Sequence, residues 1–357
     1  MEINKKIWIL LTALIISACS NNKVNHCNDT STKYTELNEE ENRKVCFKTI
    51  DSYDLNYKDK SEIVIYGNLS FPEIKKENYD AVILSHGSGG LRKYHNAYVE
   101  LLNNNGYVVF QLDHYKARNI RYDKTFSKVS GITFMNDAYK ALSLIKSHPK
   151  INKVSYIGWS QGGVGPILSY FTDVTNFINN GKDLFDSSIA IYPYCGFTFN
   201  KDSQTNNPLL MLTGADDDLT PEQACLNIYD KFSQSNKNIQ IISIKGARHG
   251  YDNPFLFFGF EFENLPSLHV INDDCTLTIS SEGEIQSLSK KKVPGPTESA
   301  ALLKQCSTKG VYVKYSPYAT EKTFEEIIKF LERILSLIHI SEPTRLLSIG
   351  YGRLGVE

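Results

Sequence analysis

Gly158-Trp159-Ser160-Gln161-Gly162 follows an apolar run at residues 154–157 and precedes a helix-compatible segment at residues 163–171. The order reads as strand, sharp turn, helix. A G-x-S-x-G turn of this kind holds its serine in a strained backbone conformation, and only small flanking residues let strand and helix approach so closely. The Ser160 hydroxyl is then presented at the strand's carboxyl end. The Gln161 amide, unpaired at a helix N-terminus, is placed to stabilise a developing oxyanion. The pentapeptide does not carry this reading alone, because a glycine turn with an incidental serine looks the same. The rest of the chain decides.

On both sides of the turn, β-prone runs alternate with amphipathic ones. Residues 45–50, 63–71, 81–84, 107–112, 188–192, 209–212 and 239–244 read as strands. Residues 97–105, 133–147, 221–234 and 324–334 read as helices. Such alternation implies βαβ crossovers and a mostly parallel central sheet with helices on both faces, an α/β fold, with the first two strands as an antiparallel edge. The interval between His249 and the last helix is too long for bare connection and is expected to hold its own structure, an insertion at residues 250–320. A small hairpin at residues 275–280 and 284–288 and a helix at 299–305 fit there. Phe255, Phe257, Phe258, Phe260 and Phe262 crowd its start. They either pack in the core and against the hairpin, or form an apolar rim over the site.

The chain has 357 residues, 41% of them apolar, and a formal net charge of -1, so a large core is possible and no nucleic-acid footprint is present. Lys5 and Lys6 precede an apolar run at residues 7–16 that is too short to span a bilayer, followed by Ser17-Ala18-Cys19. Ile16-Ser17-Ala18-Cys19 resembles the lipobox of bacterial lipoproteins. That likeness implies a signal peptide at residues 1–18, a lipid on Cys19 as the membrane contact, and a tether at residues 19–44. Ser20 after the cysteine favours the outer membrane where the host has one, so the protein is expected to be exported and anchored to the cell envelope. At the other end, residues 335–345 look like the translation of a transposase sequencing adapter. Residues 335–357 are accordingly expected to be foreign to the fold, whose domain is residues 45–334.

Six further cysteines, an even number in an exported chain, suggest disulfides. Proximity within each region pairs Cys27 with Cys46, Cys195 with Cys225 and Cys275 with Cys306. No C-x-x-C occurs, which leaves a structural zinc site without support.

A serine hydroxyl is a poor nucleophile until a base removes its proton, and an imidazole serves best when a carboxylate fixes its tautomer. The strand at 209–212 is followed by the acidic turn Gly214-Ala215-Asp216-Asp217-Asp218-Leu219-Thr220-Pro221. The strand at 239–244 is followed by Gly246-Ala247-Arg248-His249-Gly250-Tyr251. Ser, then Asp, then His, each past a strand, is the chain order of α/β-hydrolases, and a parallel sheet puts all three strand ends on one edge. The three acids also suit a solvated turn or a helix cap, with Asp218 or Thr220 the expected cap. A calcium loop lacks the regular ligand spacing, and metal-dependent hydrolysis lacks H-E-x-x-H, so no metal or other cofactor is expected. Ser85-His86-Gly87-Ser88-Gly89-Gly90 has no lysine at Walker spacing and suits a second oxyanion donor better, with the Ser88 amide assigned and Gly89 second. His86 reads as a hydrogen-bonding residue beneath that loop.

With these residues in place, the chain resembles the dienelactone hydrolase family, in an exported branch with a serine nucleophile. The likeness rests on HGSGGL at 86–91, Leu112-Asp113-His114-Tyr115 through Arg118, GWSQGG at 158–163, Tyr192-Pro193-Tyr194-Cys195-Gly196, GADDDLTPEQAC at 214–225 and GARHGYD at 246–252. It implies an α/β-hydrolase fold and singles out Asp217, four residues before Pro221, as the acid. It also supports the Cys195–Cys225 bridge. The implied triad is Ser160, His249 and Asp217. Two departures bear on substrate: a serine stands where the family's name-giving enzyme has a cysteine, and Asn253 stands where a further arginine is expected. A dianionic substrate is therefore disfavoured. Arg118 either grips a substrate carboxylate or pairs with Asp113 or a neighbouring acid, while Trp159 and Tyr251 complete the candidates for substrate contact. The expected function is hydrolysis of a small-molecule carboxylic ester. An envelope amidase or peptidase with the same triad, or a non-catalytic envelope-binding lipoprotein, are the alternatives. The sequence sets no oligomeric state.

Overall fold

The computed structural model describes Cys27 and residues 32–57 and 60–339. The export signal, Cys19 and residues 340–357 lie outside the described residues.

Eight strands form one sheet: β1 (Arg43–Asp51), β2 (Ser61–Ser70), β3 (Tyr79–Ser85), β4 (Val108–Asp113), β5 (Ile151–Trp159), β6 (Ser187–Ile191), β7 (Leu209–Gly214) and β8 (Ile239–Ile244), in the order β1-β2-β4-β3-β5-β6-β7-β8. β1 and β2 are antiparallel to each other, and β2 is antiparallel to β4. Every remaining neighbour pair is parallel. The sheet is thus the mostly parallel one implied by the alternating pattern, with the antiparallel edge where the first two strands precede any helix.

Its two faces follow from the two-residue side-chain period of a strand. Ala81 and Ile83, Val108 and Phe110, Val154 and Tyr156 point into one apolar layer, which α2 (Gly131–Lys146) and α3 (Val164–Leu168) cover. Val82 and Leu84, Tyr107 and Val109, Ile157 and Trp159 point into the other. There they meet Tyr98 and Leu102 of α1 (Asn96–Asn104) and Ile327, Phe330 and Leu331 of α7 (Pro317–His339). α4 (Thr172–Asn179), α5 (Gln223–Phe232) and α6 (Pro296–Gln305) complete the helices. α7 continues past Ile334 into the stretch expected to be foreign.

The insertion has its own structure. The hairpin β10 (Leu277–Ile279) with β11 (Ile285–Ser287) and the helix α6 match expectation. A second pair, β9 (Phe260–Ser267) with β12 (Thr308–Val313), does not appear in the sequence reading. The five phenylalanines are not core: Phe258 is 85% exposed and Phe255 74%. They lie on or just after the 3-10 turn Pro254–Leu256 and on β9, where Phe260 and Phe262 stand opposite Val313 and Val311 of β12. The Cys27–Cys46, Cys195–Cys225 and Cys275–Cys306 bridges are all formed.

Arg118 pairs with neighbouring acids of the scaffold. Its Nε donates to Asp51 Oδ1 (2.7 Å), its Nη1 to Asp137 Oδ2 (2.8 Å) and the His114 carbonyl (2.7 Å), and its Nη2 to Asp137 Oδ1 (3.0 Å). Asp113, the partner considered from sequence, is occupied by the Tyr66 hydroxyl and the Tyr115 and Lys116 amides. Burial works to raise the Asp137 carboxyl, but Arg118 and His114 outweigh it and hold the group below its ordinary value.

Removing one partner of a buried pair strands the other. Arg118→Leu should therefore cost about 3–5 kcal/mol of unfolding free energy at neutral pH, read by denaturant melts. A carboxyl depressed in the fold contributes stability above its unfolded value and loses it as pH falls through the folded one. The gap between wild type and variant should accordingly narrow below about pH 4. Replacing Cys275 and Cys306 by alanine reopens a 31-residue separation. In the chain-entropy picture this destabilises by about 3–4 kcal/mol, and proteolysis should begin inside the insertion.

Candidate active site

β5 ends at Trp159, and the chain enters a 3-10 turn at Ser160–Gly163 before α3. Ser160 has φ of 53°, the left-handed region that a residue with a side chain occupies only when its surroundings force it there. Those surroundings are backbone. A Cβ on Gly158 would lie 2.2 Å from the Gly162 carbonyl oxygen, and one on Gly162 would lie 2.2 Å from that of His86. The two glycines allow strand, turn and the loop after β3 to touch.

The Ser160 Oγ lies 2.8 Å from His249 Nε2. On the other side of the ring, Nδ1 lies 2.8 Å from Asp217 Oδ2. The carboxylate next to Nδ1 places the ring proton there, so Nε2 offers its lone pair to the serine hydroxyl. Asp217 is itself fixed: its Oδ1 accepts from the Leu219 and Thr220 amides at 2.8 and 2.9 Å. The Thr220 hydroxyl lies 3.0 Å from His249 Nδ1 and 3.1 Å from Asp217 Oδ2, bracing the pair. Asp217 thus fixes the turn at 217–220 while it holds His249; the helix cap expected of Asp218 or Thr220 is not formed, because α5 starts further on, at Gln223, with Glu222 at its N-cap and no side-chain cap. Asp218 instead faces Arg248. All three members of the relay are buried.

The loop after β3 sits against this turn. Gly90 N donates to the Gly87 carbonyl (3.0 Å) and Asp123 N to the Ser88 carbonyl (2.8 Å), which fixes the loop's path. His86 Nε2 accepts from His114 N (3.1 Å), leaving its protonated Nδ1 to donate to the Gly87 carbonyl (2.8 Å). Burial and the neighbouring His114 push the His86 imidazole down to about 3, so it is neutral and structural. The Gln161 side chain is locked as well. It accepts from the Tyr115 hydroxyl (2.6 Å) and donates to the Val129 carbonyl (2.8 Å).

Trp159 and Tyr251, expected at the substrate, lie beneath the site instead. Both are fully buried: the Trp159 indole donates to Asp252 Oδ2 (3.0 Å), and the Tyr251 hydroxyl meets that of Thr323 (2.7 Å). Orientation explains the difference, since Trp159, one residue before Ser160, points into the α1–α7 layer. Asp252 is the residue that sequence reasoning missed. Its carboxylate accepts from Tyr98 (2.6 Å), Tyr192 (2.7 Å) and Trp159, and the Tyr192 ring packs edge-on against His249, with centroids 4.8 Å apart. Burial raises the Asp252 carboxyl and these donors offset part of that rise. Its position in the GARHGYD run, directly after a buried tyrosine, was the available signal.

A second row, Ser85–His114–Asp137, repeats the same connectivity at 2.8 and 2.7 Å. It is wholly buried, Ser85 Oγ also meets the Tyr156 hydroxyl (2.9 Å), and Asp137 is neutralised by Arg118. It braces β3 against α2. By contrast, Ser160 and Gln161 open onto a cavity of about 100 Å³ walled largely by apolar side chains. Arg118, Trp159, Tyr251 and the exposed phenylalanines are not among the residues that line it. Among the described residues, no group of three His, Cys, Asp or Glu could hold a metal ion.

The chain is similar in fold to Est1E from Butyrivibrio proteoclasticus, at 17% identity and a TM-score of 0.41, over 54% of this chain and 88% of that one. It is similar to the esterase Pf2001 from Pyrococcus furiosus, at 16% identity and 0.41, over 61% and 91%. It is also similar to the acylaminoacyl peptidase of Pyrococcus horikoshii, at 17% identity and 0.42, over 59% of this chain and 38% of that one. No curated protein sequence matches it. The model of the dienelactone hydrolase family matches residues 69–255, more than half of the chain and the span that carries β3 to β8, the serine turn, the acid and the histidine. This chain belongs to the dienelactone hydrolase family, with the α/β-hydrolase fold.

Proposed function

We propose that this protein is a serine carboxylic-ester hydrolase that works through an acyl-enzyme. The observation that carries the reading is the relay of two 2.8 Å hydrogen bonds from Ser160 through His249 to Asp217, opening on an uncharged cavity. Ser160 Oγ attacks the ester carbonyl carbon as His249 Nε2 takes its proton, and Asp217 stabilises the imidazolium. The negative charge passes to the carbonyl oxygen, where the amides of Gln161 and Ser88 donate to it. The ester C–O bond breaks, the alcohol leaves with the proton from His249, and the acyl group stays on Ser160. Water, deprotonated by the same imidazole, then attacks the acyl carbon, releasing the acid and restoring the serine.

The lipobox reading adds a place of action. With Cys19 lipidated after export, the domain is held at the envelope, and three disulfides suit an oxidising compartment. Cys19→Ala should move the protein from the membrane to the soluble fraction of expressing cells. Retention in the membrane fraction would refute the anchor.

For the chemistry, intact mass after a fluorophosphonate probe should show a single adduct on wild type and none on Ser160→Ala. Asp217→Asn should lower kcat by about 10⁴-fold on a nitrophenyl ester while the melting curve stays cooperative. Undiminished turnover in Ser160→Ala would sink the mechanism, and parallel assay of an ester and an amide of one acyl group sets the preferred leaving group.

A further inference from the structure

We propose that the cavity beside Ser160 is an acyl pocket for short, uncharged acyl groups, and that Leu277 and Ile285 of the β10–β11 hairpin set the longest chain it accepts. The proposal rests on the ester-hydrolase reading and names the substrate class for it.

Charge comes first. None of the residues that line the cavity is an Asp, Glu, Lys, Arg or His, and the nearby arginine that could have met a carboxylate, Arg118, is committed to Asp51 and Asp137. A carboxylate on the acyl group would enter without a partner, which is strongly unfavourable in an apolar site. An unsubstituted alkyl chain gains from entry.

Length comes second. Beyond the cavity lies another apolar void, of about 60 Å³. Gly131, Val164, Phe197, Leu277 and Ile285 line both, and so form the partition between them. Two members of that partition, Leu277 and Ile285, lie past residue 255, where the family match ends. So do Leu268, Val293 and Leu303, which line the cavity from other parts of the insertion. The fold common to the family therefore supplies the nucleophile side of the pocket, and the insertion supplies its far side.

The far side is fixed in place. Leu277 exchanges backbone hydrogen bonds with the segment after β6, from Thr198 N to the Leu277 carbonyl (2.8 Å) and from Leu277 N to the Gly196 carbonyl (2.9 Å). Leu268 N donates to the Leu219 carbonyl (2.9 Å), next to the acid turn, and Cys275–Cys306 ties the hairpin to the end of α6. A wall held at these points acts as a ruler and not as a swinging lid.

The test uses the full chain and nitrophenyl esters from acetyl to dodecanoyl, read as kcat/KM. Wild type should gain about fourfold per methylene while the chain still fits, the conversion of about 0.8 kcal/mol per buried CH₂, and fall away from octanoyl onward. Leu277→Ala and Ile285→Ala join the two voids and should raise the octanoyl-to-butyryl ratio about tenfold. Leu277→Phe fills the partition and should lower that ratio, which keeps the test open if an alanine variant does not fold. Monoethyl glutarate should be cleaved at least about a hundredfold less efficiently than ethyl valerate. If the fluorophosphonate probe labels Ser160 and esters turn over, but the chain-length profile is the same in all variants or the charged ester is cleaved as well as the neutral one, the pocket proposal is overturned. If neither labelling nor turnover occurs, the hydrolase reading itself fails and the pocket's role goes with it.

Discussion

The left-handed backbone at Ser160 is the constraint on which the rest of the site depends. A side chain in that conformation is destabilised locally, by an amount on the order of 1–3 kcal/mol, and persists only where packing leaves no alternative. Here the packing is between backbones: β5, the turn and the loop after β3 approach so closely that Gly158 and Gly162 have no room for a Cβ. What the strain achieves is placement. The hydroxyl is turned out of the sheet toward His249, at the start of the 3-10 turn, where a helix's first amides lack intrahelical partners.

Connectivity alone does not make such a site. Ser85, His114 and Asp137 form the same row of hydrogen bonds within the same range of distances, yet three physical differences separate it from Ser160, His249 and Asp217. Asp137 is neutralised by a guanidinium, Ser85 shares its hydroxyl with Tyr156, and the whole row is buried. Asp217 has backbone amides and a threonine in place of an arginine, so its charge remains available to an imidazolium. The row proposed to react is the one whose carboxylate is held without being neutralised and whose serine faces open volume.

What could be read from the sequence was what is local along the chain. Each of Ser160, Asp217 and His249 follows a short apolar strand, and a parallel sheet collects strand ends, so their meeting follows from order alone. The three disulfides were legible because each joins cysteines of one region. Side-chain direction was not legible. Trp159 is next to Ser160 in sequence but points into the layer under it, where Asp252 holds it with Tyr98 and Tyr192. Arg118 matched a family position, yet the buried Asp137 in the middle of α2, the one acid in that helix, holds it. The β9–β12 pair joins segments more than forty residues apart, with the hairpin and α6 between them, so the pattern of either strand alone could not reveal its partner.

These observations divide the molecule into two kinds of part. Between β3 and the His249 loop, almost every polar group near the site is already paired: His86 with the loop, Gln161 with Tyr115 and Val129, Asp252 with three aromatic donors. A lattice of that density tolerates little change, because each substitution leaves a buried partner unsatisfied. Apart from Ser299, the insertion meets the site with leucine, isoleucine and valine side chains. Contacts of that kind are non-directional, so a change of size there alters volume without orphaning a hydrogen bond. Chemistry is therefore fixed where the hydrogen bonds are, and the fit of the substrate can vary where the apolar wall is.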